Sequence, residues 1–437
     1  MTLVKGHLSK RGAELAQGEN YREKFKAILD DPYDSVKNPD GFINFGTAEN
    51  YVMRNEARDF SNKQLELSSK DFSYGEGPWG TERLRQATAK HFNTFFKPST
   101  AVLPEDFIIA NGVVSLCEML GWAIGDPGNC IILTRPSYQA FPPDFRTKAK
   151  IRSQFVEFGT TDQFSLACIP HYEHTIQQAL KSGMTPRAIV LCNPHNPLGK
   201  CYPPATVKAL MSLCKRHNLH LISDEVYALS VYDTSKEHSV PFTSVLSFKE
   251  DEHMDREMVH VLYSMSKDFA AAGIRIAMMH TRNQQLLRAM LSMNQFHWSG
   301  AVLEKLAAEI LEHEEWITSF VALSKKRLLQ GSALIRRILD ERAVPYLEDA
   351  NAGFFIWADF GKFLGDDGND VEDGWRREGE LLKAAMERKV YITPGSIVAA
   401  ERPGFFRIVF SQEPSVTEEG MERVFEAVES LQRVWRT

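Results

Sequence analysis

The sequence predicts an α/β fold, a mostly parallel sheet covered by helices on both faces and joined to a smaller α+β unit. Three observations carry that prediction. From about Asp106 to His280, short apolar runs alternate with amphipathic stretches of helical length, as strand–helix–strand crossovers require. After Thr281 the texture changes to long helical stretches with a few short strands between them. The first 60 residues hold too few apolar positions for a core of their own and are expected to pack onto that second unit.

The elements follow in order. Arg187–Cys192 is short, continuously apolar and followed by a Pro/Asn/Gly loop, which marks a buried strand. Val207, Leu210, Met211 and Cys214 then recur at i, i+3, i+4 and i+7, one stripe of a helix. Leu219–Ser223, Val259–Tyr263 and Ile274–Met279 supply three further strands. Strands joined in this way give right-handed crossovers and a largely parallel sheet. Beyond Thr281, Leu303, Leu306, Ala307 and Ile310 mark a helix, and Ser324–Glu341 extends the helical character. Short strands are expected near Gly353–Trp357 and Phe405–Phe410. A last helix is expected from Ser415, where Ser415 and Glu418 can form a capping box ahead of an apolar face of Met421, Val424, Phe425 and Val428.

Composition narrows the class. The 437 residues are 43% hydrophobic and 25% charged, with 27 Gly and 20 Pro, which excludes collagen-like, disordered and low-complexity chains. A net charge of −6, with no block of like charges, argues against a nucleic-acid partner. Six scattered cysteines without a CxxC pair point to a reduced, cytoplasmic protein in which they are buried and incidental. The opening residues carry no signal-peptide run, and no apolar stretch is long enough for a membrane span.

Two motifs mislead. Gly75-Glu-Gly-Pro-Trp-Gly80 spells GxGxxG, but a polar segment precedes it and Pro78 interrupts it, so it is expected to be a Gly-rich loop feeding the helix Thr81–Phe92. The acidic run Gly365–Asp373 does not match calcium-loop positions and is expected to be a solvated insertion, leaving no metal site.

The informative residues fall at strand ends, where open α/β sheets bind ligands. Asn196 follows the first strand, Asp224 and Tyr227 cap the second, Ser264, Ser266 and Lys267 cap the third, and Arg275 opens the fourth. Together these are the groups that a pyridoxal phosphate site requires. Lys267 supplies the amine that holds the aldehyde as a Schiff base, and can then act as general base. Asp224 keeps the pyridine nitrogen protonated, while Asn196 and Tyr227 donate to the phenolic oxygen. Arg275, Ser264, Ser266 and the helix start at Asn111-Gly-Val-Val-Ser115 offer cations, hydroxyls and backbone N–H groups to the phosphate. Tyr138 is placed for the ring face. Arg407, alone among apolar neighbours, suits a substrate carboxylate.

On these residues the sequence resembles the fold-type I pyridoxal-phosphate enzymes, the class I/II aminotransferases, and within them the 1-aminocyclopropane-1-carboxylate (ACC) synthase-like branch. The matching stretches are Ile43–Asn50, Asn111–Glu118, Asn193-Pro-His-Asn-Pro-Leu-Gly199, Ser223-Asp-Glu-Val-Tyr227, Tyr263-Ser-Met-Ser-Lys-Asp268 with Gly273-Ile-Arg275, and Phe406-Arg407. The resemblance implies a seven-stranded large domain at residues 61–299 and a small domain from residues 1–60 and 300–437. It also implies a homodimer with shared active sites, and the roles given above to Lys267, Asp224, Asn196, Tyr227, Arg275 and Arg407. Glu49 stands where that branch places a glutamate near the substrate, so Arg407, Glu49 and Asn196 are the substrate-facing candidates. Two stretches depart from the pattern. The phosphate loop reads Gly-Val-Val, so Val113 and Val114 offer backbone donors without a side-chain hydroxyl. The loop Tyr74–Gly80 is differently built, and Tyr74 is the candidate for the tyrosine that the family brings to cofactor and substrate from the neighbouring subunit.

Loss of the α-proton is common to several reactions of such enzymes. Glu49 and the branch resemblance imply breakage of a carbon–sulfur bond in an α-amino acid, as in ACC synthase or the C–S lyases of secondary metabolism. Transamination to a 2-oxo acid is the alternative. A catalytically inactive, cofactor-binding protein is a third reading, against which Lys267 and Asp224 both stand.

Overall fold

The computed structural model describes residues 7–17, 21–235, 239–365 and 371–435. A two-residue strand, β1 (Ile43–Asn44), precedes seven strands that form one sheet. These are β2 (Phe107–Ala110), β3 (Cys130–Thr134), β4 (Arg152–Val156), β5 (Pro186–Cys192), β6 (His220–Asp224), β7 (Val259–Ser264) and β8 (Ala277–Thr281). Their order is β2-β8-β7-β6-β5-β3-β4, parallel throughout except along β8, which opposes both β7 and β2. The inner strands β6, β7 and β8 are buried at every position, as a sheet with helices on both faces requires. Val207, Leu210, Met211 and Cys214 form the buried face of the helix Pro204–His217, which crosses from β5 to its parallel neighbour β6.

The connection from β7 to β8 corrects the sequence expectation. The fourth strand begins at Ala277, not Ile274; Ala272–Ile274 is a 3₁₀ turn, closed by Arg275 with φ of 52°. β8 then returns antiparallel beside β7, with no crossover helix. The alternation of Ile274, Ile276 and Met278 reads as one strand because a half-buried turn leaves the same pattern. The Gly75–Gly80 loop has positive φ at all three glycines and leads into the helix Glu82–Phe95, capped by Thr81. Only glycine fits at position 80, where φ is 88° and a Cβ would lie 2.5 Å from Ile109.

Both ends of the described chain meet in the second unit. β9 (Phe355–Asp359), β10 (Val390–Tyr391), β11 (Thr393–Pro394) and β12 (Phe405–Val409) follow in the chain. β11, β12 and β9 form an antiparallel sheet in that order, and β10 pairs in parallel with β1 from the N-terminal segment. Ile43 and Phe45 are buried with Met421, Val424 and Phe425 of the helix Pro414–Trp435. That helix starts one residue before the expected position, so Ser415 lies inside its first turn and does not cap it; Glu418 pairs with Arg337 at 3.3 Å instead. Residues 366–370 of the acidic run lie outside the described residues. Among the described residues no cluster of His, Cys, Asp and Glu could hold a metal ion, and no helix is long and apolar enough to cross a membrane. All six cysteines are free and buried.

The C-terminal helix touches the N-terminal strand region through Gly420, where a Cβ would lie 2.4 Å from the Phe45 ring. Gly420→Ala is therefore expected to lower the unfolding free energy by about 1–3 kcal/mol despite alanine's better helix propensity. Gly379→Ala, in the helix Val371–Glu387 with nothing within 4 Å of the added carbon, is expected to raise it by about 0.5–1 kcal/mol. Denaturant unfolding of the two variants measures both; stabilisation by Gly420→Ala would contradict this packing.

Candidate active site

The ends of β3, β5, β6 and β7, the start of β8 and two loops surround one cavity of about 150 Å³. Lys267, Asp224, Tyr227, Asn196, Ser264, Ser266, Arg275, Val113, Val114, Tyr138 and Glu49 all line it. Because β8 is reversed, the approach to its first residue lies at the same sheet edge as the ends of β5, β6 and β7, and this brings Arg275 to the cavity.

Asp224 is the last residue of β6, and its Oδ1 accepts the Val226 N–H at 3.2 Å. Burial pushes this carboxyl up to about 7, against the pull of the Lys267 charge. Lys267 follows β7 and donates to the Ala48 carbonyl at 2.5 Å. Its amine is pushed down to about 8 by burial, then by Arg407; Glu49 and Asp224 act in the opposite direction. Tyr227 packs edge-on against Phe354 and Phe355, and its buried hydroxyl has no hydrogen-bond partner among the described residues.

Arg407 sits on β12 and is only 1% exposed. Nη1 donates to Asn196 Oδ1 at 2.8 Å, Nη2 donates to the Gly46 carbonyl and to Thr393 Oγ1, and Nε has no partner among the described residues. No carboxylate is paired with it among the described residues; Phe355 lies beneath it, 5.4 Å from the guanidinium carbon. A guanidinium has only donors, so Asn196 must present its oxygen to Arg407, which frees its amide N–H groups for a ligand.

Phosphate-sized anions have a seat at the start of the helix Val113–Ile124. The N–H groups of Val113 and Val114 precede its first internal bond, from Ser115 to the Gly112 carbonyl. Gly112 has φ of 144°, and a Cβ there would lie 2.3 Å from the Arg275 guanidinium, so the absence of a side chain lets the arginine approach. Ser264 Oγ accepts the Ser266 N–H at 3.2 Å beside it. Tyr138, just beyond β3, meets Phe141 edge-on at 5.3 Å, and burial raises the pKa of its hydroxyl. Glu49 is ion-paired with Arg54.

Tyr74 lies elsewhere. It is 87% exposed, stacks on Trp298 at 6.1 Å and does not line its own chain's cavity. Five lining residues were not anticipated as site residues: Thr47, Asp144, Cys192, Val226 and Ala272. Cys192 is thus no incidental cysteine; it lines the site and its Sγ donates to the Pro194 carbonyl at 3.4 Å. Asp144, in the helix Phe141–Arg146, is pushed up to about 8 by burial and by the charge of Asp224. Nothing in a single sequence distinguishes it from a surface acid.

This set fits pyridoxal phosphate on physical grounds. It offers a low-pKa amine, a buried carboxylate with no cation bonded to it, an orphaned hydroxyl and an anion seat built around a glycine; Arg407, which does not itself line the cavity, stands behind the lining Asn196 without a counter-charge among the described residues.

A family model described as aminotransferase class I and II matches residues 40–428. The chain is 30% identical over 433 residues to the 1-aminocyclopropane-1-carboxylate synthase-like protein 1 of Takifugu rubripes, covering 97% of this chain and 68% of that protein. It is 29% identical over 421 residues to 1-aminocyclopropane-1-carboxylate synthase 6 of Oryza sativa subsp. japonica, covering 92% and 76%. Among solved structures, a double mutant of Thermus thermophilus aspartate aminotransferase matches with a TM-score of 0.73 at 21% identity, covering 97% of this chain and all of that one. The aromatic aminotransferase of Pyrococcus horikoshii OT3 gives 0.71 at 19% identity, covering 90% and 96%. At those identities the two structures show the fold.

The raised pKa of Asp224 has a consequence for stability. Its folded value, about 7, lies above its unfolded one, so ionisation weakens the ligand-free fold as pH rises from 4 to 7, and the cost is fully present above 7. Asp224→Asn is expected to stabilise the ligand-free protein at pH 8 by on the order of 3 kcal/mol, and by much less at pH 5. Denaturant unfolding at both pH values measures this; a gain independent of pH would contradict it.

Proposed function

The chain belongs to the aminotransferase class I and II family and uses that family's pyridoxal phosphate cofactor; from that premise we propose that it breaks a carbon–sulfur bond in an α-amino acid. The observation that carries the reading is Glu49, a carboxylate lining the cavity in a chain whose relatives include a named ACC synthase. There it can face a sulfonium, or the carbon bearing a thioether, as the sulfur departs. Transamination is the second reading, favoured by the family description itself and by a lysine able to move a proton between two carbons.

When bound, pyridoxal phosphate supplies an aldehyde that holds the substrate amine and a ring that draws electron density from the α-carbon. In this reading the ionised Asp224 carboxylate accepts the ring nitrogen's proton in a hydrogen bond. The free Asn196 amide and the unpartnered Tyr227 hydroxyl donate to the phenolic oxygen. Arg275, the hydroxyls of Ser264 and Ser266, and the N–H groups of Val113 and Val114 bind phosphate, and Tyr138 covers the ring. Arg407 binds the substrate carboxylate, which supplies the counter-charge its buried guanidinium lacks. Lys267, with its amine near pH 8, is partly neutral at physiological pH and removes the α-proton. We place the working form as a homodimer in which Tyr74, exposed outside its own cavity, reaches the neighbouring copy's site. The six free, buried cysteines suit a reducing cytoplasm.

The purified holoenzyme, given S-substituted cysteine or S-adenosylmethionine, is expected to release pyruvate and ammonia, or ACC. Spectral conversion of the cofactor to its amine form without such products would replace this reading by transamination. Arg407→Lys is expected to lower kcat/KM about 10–100-fold, because an ammonium cannot keep the guanidinium's directed contacts. An unchanged kcat/KM would remove Arg407 from the site.

A further inference from the structure

Asp268 follows Lys267 in the chain but does not line the cavity, and it is buried. Its oxygens collect three donors from two other segments. Oδ2 accepts the Leu229 N–H and the Tyr263 hydroxyl, both at 2.9 Å, and Oδ1 accepts the Ser230 hydroxyl. Among the described residues no lysine or arginine forms an ion pair with it.

Those donors mark what the carboxylate joins. Leu229 and Ser230 end the turn that runs from Asp224 through Tyr227, and the Ser230 N–H donates to the Tyr227 carbonyl at 2.9 Å. Tyr263 lies in β7, whose end carries Lys267. Glu225 holds the other end of the turn, accepting the Ser223 hydroxyl and the Val245 N–H, each at 3.0 Å. The two carboxylates therefore fix both ends of the segment carrying Asp224 and Tyr227; at its near end the Glu225 N–H also bonds the Leu262 carbonyl of β7 at 2.9 Å, and at its far end Asp268 is the side chain that ties it to the lysine segment.

We propose that Asp268 is a positioning residue for the cofactor, setting where the Lys267 amine stands relative to Asp224 and Tyr227. This deepens the reading above and rests on it. Three donors and no acceptor around one side chain ask for a carboxylate. Asparagine can still accept from Leu229 and Tyr263 while its amide faces Ser230, whose hydroxyl can turn to accept. Alanine leaves two buried donors, the Leu229 N–H and the Tyr263 hydroxyl, without a partner.

The test titrates the cofactor-free protein with pyridoxal phosphate, reading the dissociation constant and the pH midpoint of the lysine-bound absorbance band. Asp268→Ala is expected to weaken binding about 10–100-fold and to move the midpoint, while Asp268→Asn stays within about 10-fold of the unmodified protein. Wild-type affinity and midpoint in Asp268→Ala overturn the proposal, as does an equal loss in Asp268→Asn. If Asp268→Ala does not fold, Tyr263→Phe and Ser230→Ala are read instead. Each is expected to lose about 3–10-fold in affinity, and unchanged binding in both overturns the proposal. A band that survives Lys267→Ala would instead strike the assignment of Lys267, a failure distinct from these.

Discussion

Arg407 is buried to 1% exposure with no carboxylate paired to it among the described residues, and its hydrogen bonds go to the Asn196 amide, the Gly46 carbonyl and the Thr393 hydroxyl. Removing an ion from water costs several kcal/mol even after relaxation, and polar contacts return part of that. Those contacts come from three parts of the chain: the loop after β5, the N-terminal segment beside β1, and β11. The guanidinium is thus a tie between the two units as well as an electrostatic source. Its field adds to burial in lowering the Lys267 amine, and burial at the same edge raises Asp224. The ligand-free site holds charges shifted toward neutrality, and a ligand bearing a phosphate, a protonated ring nitrogen and a carboxylate offers each a partner.

The scaffold delivers these groups through one asymmetry. With β5, β6 and β7 parallel and β8 reversed, four consecutive strands present Asn196, Asp224, Lys267 and Arg275 at a single edge. The helix Val113–Ile124 points its N-terminal N–H groups at the same place, and Gly112 lets Arg275 close on them. Behind the cavity, Glu225 and Asp268 have no ion-pair partner among the described residues and do not line the cavity. They hold the turn on which the ring-facing groups sit.

How much of this was legible depended on whether a residue's role was local. Asn196, Asp224, Lys267 and Arg275 could be read because each follows or precedes a recognisable strand. The stripe on Pro204–His217 was legible because helical period and burial coincide there. The reversal of β8 was not, since a half-buried turn at Ala272–Ile274 and a strand leave the same apolar alternation. Asp144, Thr47 and Cys192 reach the cavity through tertiary packing alone, and no spacing in the chain announces them. Tyr74 was expected at the neighbouring subunit's site from its place in the chain, and within one copy its ring lies on the surface against Trp298. Ser415 was read as a cap by its spacing to Glu418, but Pro414 already opens the helix.

Lys267, whose amine donates to the Ala48 carbonyl and feels the charges of Arg407 and Asp224, is the residue that carries the cofactor in this reading. Borohydride reduction of the holoenzyme fixes pyridoxal phosphate to the lysine that holds it, and peptide mass spectrometry then identifies that residue. Stoichiometric labelling of Lys267, with every other lysine unmodified, is the expected result. A label on any other lysine, or none on Lys267 in a protein that has taken up the cofactor, would contradict the account.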